Sequence, residues 1–329
     1  MRTNFKRAMA MFLAAATMAT LAACGSDSDG GTSTESGAGT SSSSFPVTIE
    51  NKFGSTTIDA EPKRVIALSY EEDALATLGI TPIAYGKNPY KTDGVFPWLD
   101  GKISLADSTA LDTSGDLNLE QIASLRPDLI LATNFYGLAD YYDRLSKIAP
   151  VVGYTEEAGI ATWQENSTLV GEAVGRKADT EKAIADTQAK IDQVKTDLPG
   201  LAGKTFSYSF YYQPGGLAVI DDPETVSVQL YSDLGMKLSS GVTENVKDRS
   251  LSMEKIGALD ADFLLMGFAT DDLQKELEGN KQYTGIPAVK DGRSVEVDAF
   301  TAGAVNNPTI LNIPWQLDQL KPTLEKAAA

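Results

Sequence analysis

The chain contains no histidine, and that absence removes whole classes of chemistry at once. Ser-His-Asp and Cys-His nucleophilic catalysis are excluded, as is a histidine-rich zinc or manganese centre. Cysteine occurs once, at Cys24, so no internal disulfide can form. Positive charge is also scarce: 28 Lys and Arg stand against 45 Asp and Glu, for a net charge of −17. A surface that acidic argues against nucleic acid and against adhesion to anionic lipid. It leaves the ligand open, because a local cationic pocket can sit on an acidic protein. After residue 23, no apolar run approaches the about 20 residues needed to span a bilayer.

The N-terminus is ordered like an export signal. Arg2, Lys6 and Arg7 precede an uncharged run over 8–23, too short for a spanning helix and dominated by Ala and Thr in its second half. The run ends in Leu21-Ala22-Ala23-Cys24. Residues 1–23 resemble a bacterial lipoprotein signal peptide with its lipobox. That implies lipidation of Cys24 and anchorage of the mature chain at the extracytoplasmic face of the cell membrane. After Cys24 the segment 24–44 is almost all Gly, Ser, Thr, Asp and Glu. It cannot bury enough apolar surface to offset its ordering entropy. A tether is predicted, spanning about 25 Å for about 20 residues. Asp27-Ser28-Asp29-Gly30 opens like a calcium loop but lacks the downstream ligands and flanking helices.

Residues 45–329 alternate short apolar runs with helical stretches. Strands are predicted over 64–68, 80–85, 128–132 and 205–212, and helices over 71–78, 119–125, 141–148 and 226–234. Such alternation indicates parallel βαβ units with both faces of each sheet covered. Midway, 162–174 and 178–198 read as two helices with no strand between them. In the second, Ile184, Ile191 and Leu198 recur every seventh position, a single apolar stripe suited to a connector. One segment is then repeated. Leu119-Glu120-Gln121-Ile122-Ala123-Ser124-Leu125 and Asp128 are echoed by Met253-Glu254-Lys255-Ile256-Gly257-Ala258-Leu259 and Asp262, each running into an apolar strand. Glu, Ile, Leu and Asp fall in register, which points to two related lobes.

Several motifs in order carry a family resemblance. They are 62–68, Leu78-Gly79-Ile80, 119–130, Ile148-Ala149-Pro150, Trp163 with Val174-Gly175-Arg176, and 287–293. Together they resemble the periplasmic binding proteins for siderophores, haem and cobalamin, over nearly all of 45–322. The resemblance implies an α/β fold of two βαβ-type lobes joined by a single long interdomain helix, with the ligand cleft between lobes. The division would be 45–175, 176–200 and 201–329. It implies the substrate-binding subunit of an ABC importer for a ferric siderophore, working as a monomer without a cofactor of its own. Haem or cobalamin is the alternative solute. The resemblance also implies that Glu120 and Glu254 dock onto arginines of the membrane permease. Helix capping offers a second role, since Asn118 and Ser252 would place both glutamates in a first turn.

Candidate ligand contacts follow from the rule that open α/β sheets bind at the C-terminal ends of their strands. That rule selects Tyr70, Tyr85, Asn134, Phe135 and Tyr136 in the first lobe, and Tyr211, Tyr212, Phe268 and Phe300 in the second. Trp98 is added as a loop aromatic and Arg249 as the cleft cation by its motif position. Rings would pack an organic scaffold and arginine would meet metal-bound oxygens, so that iron arrives already chelated. A tyrosinate such as Tyr70 or Tyr136 on haem iron is the variant of this picture. The nearest rival class is an enzyme. Gly203-Lys204-Thr205 lacks the first glycine of a phosphate loop and precedes a strand. The neighbouring acids Glu71-Glu72 and Asp221-Asp222 read as solvated faces or turns. A surface or sensory lipoprotein on the same fold is the other rival.

Overall fold

The computed structural model describes residues 45–90 and 95–329. The signal peptide, Cys24 and the tether predicted over 1–44 lie outside the described residues. A hairpin not anticipated from sequence comes first: β1 (Val47–Asn51) pairs antiparallel with β2 (Gly54–Ile58). It buries Ile49 and Ile58.

Two five-stranded sheets form the frame. The first holds β3 (Val65–Ala67), β4 (Ala84–Gly86), β5 (Thr109–Leu111), β6 (Leu129–Ala132) and β7 (Val151–Gly153), all parallel in the order β5-β4-β3-β6-β7. Every residue of β3, β6 and β7 is buried, as continuous apolar runs covered on both faces must be. The strand expected over 80–85 is cut to β4 because Pro82 has no N–H for the ladder. The second sheet holds β8 (Thr205–Gln213), β9 (Gly216–Val219), β10 (Lys237–Leu238), β11 (Phe263–Phe268) and β12 (Ser294–Asp298). Its parallel order is β10-β8-β11-β12, and β9 folds back antiparallel on β8.

Between the sheets run two helices. Trp163–Ala173 starts at a capping box in which Thr162 and Glu165 satisfy each other's backbone N–H. The 21-residue helix Lys177–Asp197 follows and leads towards β8. Its Ile191 is fully buried, and its Thr187 hydroxyl donates to the Ile310 carbonyl at 3.0 Å. The chain closes with the helix Asn312–Ala328, also unanticipated, which carries Pro322 in its interior. A single buried apolar cluster joins all these parts. It takes Leu129 and Leu131 from β6, Ile191 from the long helix, Phe206 from β8, Phe263 from β11 and Leu317 from the last helix. The two lobes therefore share a core.

The repeated segment occupies equivalent places. The helix Leu119–Ser124 leads into β6, which lies beside β3; the 3-10 helix Met253–Leu259 leads into β11, which lies beside β8. The echoed aspartate explains itself. Asp128 accepts from the Lys63 and Arg64 backbone N–H groups at 2.8 Å each. Asp262 accepts from the Thr205 N–H at 2.8 Å and its hydroxyl at 2.9 Å. In both lobes the residue ties the start of one strand to the start of its neighbour. Asp128→Ala and Asp262→Ala should each lower unfolding stability by about 1–2 kcal/mol, the worth of lost charge-assisted bonds, in urea titrations. The helix ends differ: the Asn118 side chain accepts from Gln121 N–H at 3.0 Å, whereas the Ser252 side chain makes no capping bond.

Candidate functional site

Strand order reverses between β3 and β6, and again between β8 and β11, so each lobe offers a switch point at its C-terminal edge. In the first lobe that point is built around an acid. Tyr70 turns the chain with a φ of +67° and opens the helix Glu71–Thr77. Glu71 then accepts from Ser69 N–H at 2.6 Å, Thr133 N–H at 2.6 Å and the Thr133 hydroxyl at 3.1 Å. The Ser69 hydroxyl adds a bond to the Asn134 carbonyl at 3.0 Å. Glu71 thus laces together the chain ends leaving β3 and β6.

This corrects the expectation that Glu71 and Glu72 are solvated. Glu71, Glu72 and Asp73 are 3 %, 0 % and 1 % exposed. The helix begins at the switch point, beneath the junction of the lobes, so its first turn projects into protein. Burial raises the pKa of all three; Glu72 is raised further by the charges of Asp73 and Glu71, and Asp73 reaches about 7. Asp73 is held across the lobes, accepting from Trp98 Nε1 at 2.9 Å and from the Thr309 hydroxyl. Both oxygens of Glu72 lack a hydrogen-bond partner among the described residues. Asp222, by contrast, does form a turn, accepting from the Glu224 N–H at 2.9 Å.

Two cavities open beside this junction. One of about 400 Å³ is walled by Tyr70, Phe96, Phe135, Tyr136, Tyr141 and Lys87. The other, about 340 Å³, carries Tyr208, Ser209, Phe210, Ser227 and Arg249 on the second-lobe side. Tyr136 borders both and is 71 % exposed, so the two are halves of one cleft with a ring standing between them. A tight space of about 30 Å³ beneath is lined by Asp73, Asn134, Asn307 and Thr309. Lys87 pairs with Asp112 at 2.8 Å, and the lysine holds that carboxyl down at about 2.

Among the residues expected at the ligand, the structure brings Tyr70, Phe135, Tyr136 and Arg249 to the cleft walls. Asn134 sits below, its Oδ1 accepting from Gly159 N–H at 2.7 Å. Six others lie elsewhere. Tyr85, Trp98 and Phe300 are buried in one aromatic cluster. Trp98 stands 5.5 Å from Phe300 and 5.3 Å from Trp315, which makes this cluster a staple between lobes. Tyr211 and Phe268 belong to the second-lobe core, where the Tyr211 hydroxyl donates to Glu276 at 2.7 Å. Tyr212, beside them, is half exposed and lines neither cavity. The strand-end rule fails for this pair because β8 runs on into its hairpin with β9, carrying Tyr211 opposite Leu217. Lys87, immediately after β4, is a cleft residue that the strand-end rule reaches and that a search for aromatics misses. Phe96, Tyr141, Ser209 and Phe210 also escaped, since only the tertiary arrangement turns them inward. Glu120 and Glu254 are exposed, each in the first turn of its helix.

A sequence match fixes the family. The periplasmic binding protein family matches residues 65–300. The chain belongs to that family. It is 30 % identical over 283 residues to the Bacillus subtilis protein named Probable siderophore-binding lipoprotein YfiY, covering 80 % of this chain and 85 % of that one. It is 27 % identical over 272 residues to the Fe(3+)-citrate-binding protein YfmC of the same organism, covering 80 % and 82 %. Among solved structures, a periplasmic solute binding protein from Mycobacterium smegmatis superposes with a TM-score of 0.76 at 28 % identity, over 86 % of this chain and 99 % of the other. A family of solute-binding proteins, with a two-lobed α/β frame, is thus the setting for the cleft. No helix among the described residues is long and apolar enough to cross a membrane.

Proposed function

We propose that this chain captures a ferric siderophore in the cleft between its lobes and delivers it to the permease of an ABC importer. The observation that carries the reading is the cleft itself: aromatic walls from both lobes, at the strand ends, with Arg249 on one side. Rings of this kind pack the organic scaffold of a chelate, and the arginine meets oxygens that already hold the iron. The ligand is cargo, and no chemistry is done on it.

The finer parts of the reading are these. The working division is a first lobe over 45–175, a connector over 176–200 and a second lobe over 201–329. Cys24 carries the lipid that holds the protein, as a monomer, at the extracytoplasmic face of the membrane. Glu120 and Glu254, one per lobe, engage the permease. Both are exposed and both sit in the first turn of the helix that precedes β6 or β11, which supports their use as a matched pair.

Fluorescence tests the capture step directly, because Trp98 and Trp315 lie in the cluster shared by the lobes. The mature soluble chain is titrated with ferric chelates, their iron-free forms, haem and cobalamin. Saturable quenching by a ferric chelate, absent with its iron-free form, is the expected result. Quenching by haem or cobalamin alone moves the solute. Silence with every ligand favours a lipoprotein with no transport role.

A further inference from the structure

The cleft's charge is as informative as its rings. Among the described residues lining the two halves of the cleft there is no Asp or Glu, and the only cations are Lys87 and Arg249. Lys87 is paired with Asp112 at 2.8 Å. The Arg249 guanidinium has no ion-pair or hydrogen-bond partner among the described residues, while its backbone N–H donates to the Asp221 carboxylate at 3.3 Å; among the described lining residues it is the cation left to meet charge on a ligand.

Arg249 is also held where an arginine is not at ease. Lys247 and Ser250 exchange backbone bonds at 3.3 and 2.9 Å, closing a two-residue turn over Asp248 and Arg249. Both central residues have positive φ, +49° and +57°. That is the turn for which glycine or asparagine is normally selected, because a side chain crowds the backbone there. The Arg249 carbonyl accepts from Val219 N–H at 2.9 Å, which pins the turn to the hairpin strand. A bulky cation held in a strained turn at the cavity wall points to a use for its side chain.

We infer that the ligand is a ferric chelate of low net charge, a tris-hydroxamate in chemical class; this rests on the siderophore reading above. Three singly charged hydroxamates cancel iron(III), whereas three doubly charged catecholates leave the complex trianionic. A trianion in this cleft would meet one unpaired arginine and have the rest of its charge desolvated without partners. The acidic protein around it would add long-range repulsion. A neutral trihydroxamate needs what the cleft has: aromatic walls, hydroxyls such as those of Ser209 and Ser227, and one strong donor for the carbonyl oxygens on iron.

The test compares ferrichrome, ferric enterobactin and ferric citrate on the mature chain by quenching and calorimetry. Ferrichrome should bind about a hundredfold tighter than the other two, with an affinity that changes by less than about threefold between low and high salt. Arg249→Gln should weaken ferrichrome by about tenfold to a hundredfold. Arg249→Gly should do the same while raising the thermal midpoint, since the turn relaxes; a variant that had merely misfolded would lower it. Tighter binding of an anionic chelate, or ferrichrome binding indifferent to Arg249→Gln, overturns the assignment of class and leaves the siderophore reading standing. Saturable binding of none of the three overturns both.

Discussion

Reversing the two carboxylates proposed to dock, as Glu120→Lys with Glu254→Lys, should reduce uptake of the chelated iron to background while its affinity for the purified protein stays unchanged. The two positions are exposed and lie outside both cavities, so the ligand does not feel them. What they meet, on the proposed function, is a pair of arginines on the permease. Losing one partner of a desolvated charge pair typically costs 2–5 kcal/mol, and replacing it with a like charge adds repulsion. Two such losses on one rigid protein amount to well over about a hundredfold in occupancy of the importer. Each single reversal should give a partial loss, because one contact still sets the approach. Stability should fall only slightly, by about 0.3–1 kcal/mol per site, through the lost first-turn carboxylate. The measurement is whole-cell uptake of labelled chelate beside titration of the same variants. Full uptake by the double variant would show that delivery does not run through these residues.

The protein should be more stable at pH 5.5 than at pH 8, and Glu72→Met should remove much of that difference. Glu72 is wholly buried, with both oxygens unpartnered among the described residues and with Glu71 and Asp73 as chain neighbours. Burial foremost, and then those two charges, raise its pKa well above the ordinary carboxylate value; burial carries Asp73 to about 7. In the unfolded chain both titrate near about 4. Between those limits the native state holds more protons than the unfolded one, so stability is full below about pH 4 and declines as pH rises through about 7. Methionine fills the same space without a charge to desolvate. The gain at pH 8 should be about 1–3 kcal/mol by urea unfolding, and smaller at pH 5.5. A wild-type protein equally stable at both pH values would mean that the Glu72 carboxylate is solvated or paired after all.

Much of the frame was legible because it rests on local rules. The helices at 71–78, 162–174 and 178–198 appear within a residue or two of their expected ends, as Glu71–Thr77, Trp163–Ala173 and Lys177–Asp197. The buried parallel strands announced themselves as short unbroken apolar runs. The echo of Glu, Ile, Leu and Asp located equivalent places in the two lobes, although the bond that keeps Asp128 and Asp262 in register required neighbouring strands to be seen. The acids at the first switch point depart from the expectation of solvated faces for a physical reason. Charge in a sequence argues for exposure, and only topology shows that this helix begins beneath the lobe junction, where Glu71 finds three donors. Aromatics misled in the same way. Trp98 and Phe300 carry no local mark to separate a ring that meets ligand from one that stacks on the opposite lobe, and the decisive fact is a 5.5 Å approach between distant parts of the chain.

On the proposed function, the single core running from β6 through the long helix to β8 and β11 bears on how an importer is supplied. On the proposed function, lobes joined by one core should swing little, so the empty and the loaded protein should present almost the same face to the membrane. The permease then has little geometric means of turning the empty form away. When iron is scarce, unloaded copies occupy the same landing place as the few that carry cargo, and supply slows if the cell makes too many of them. On that reading, import would be governed by the ratio of binding protein to permease as much as by affinity, and overproducing the receptor would become a way to starve the cell.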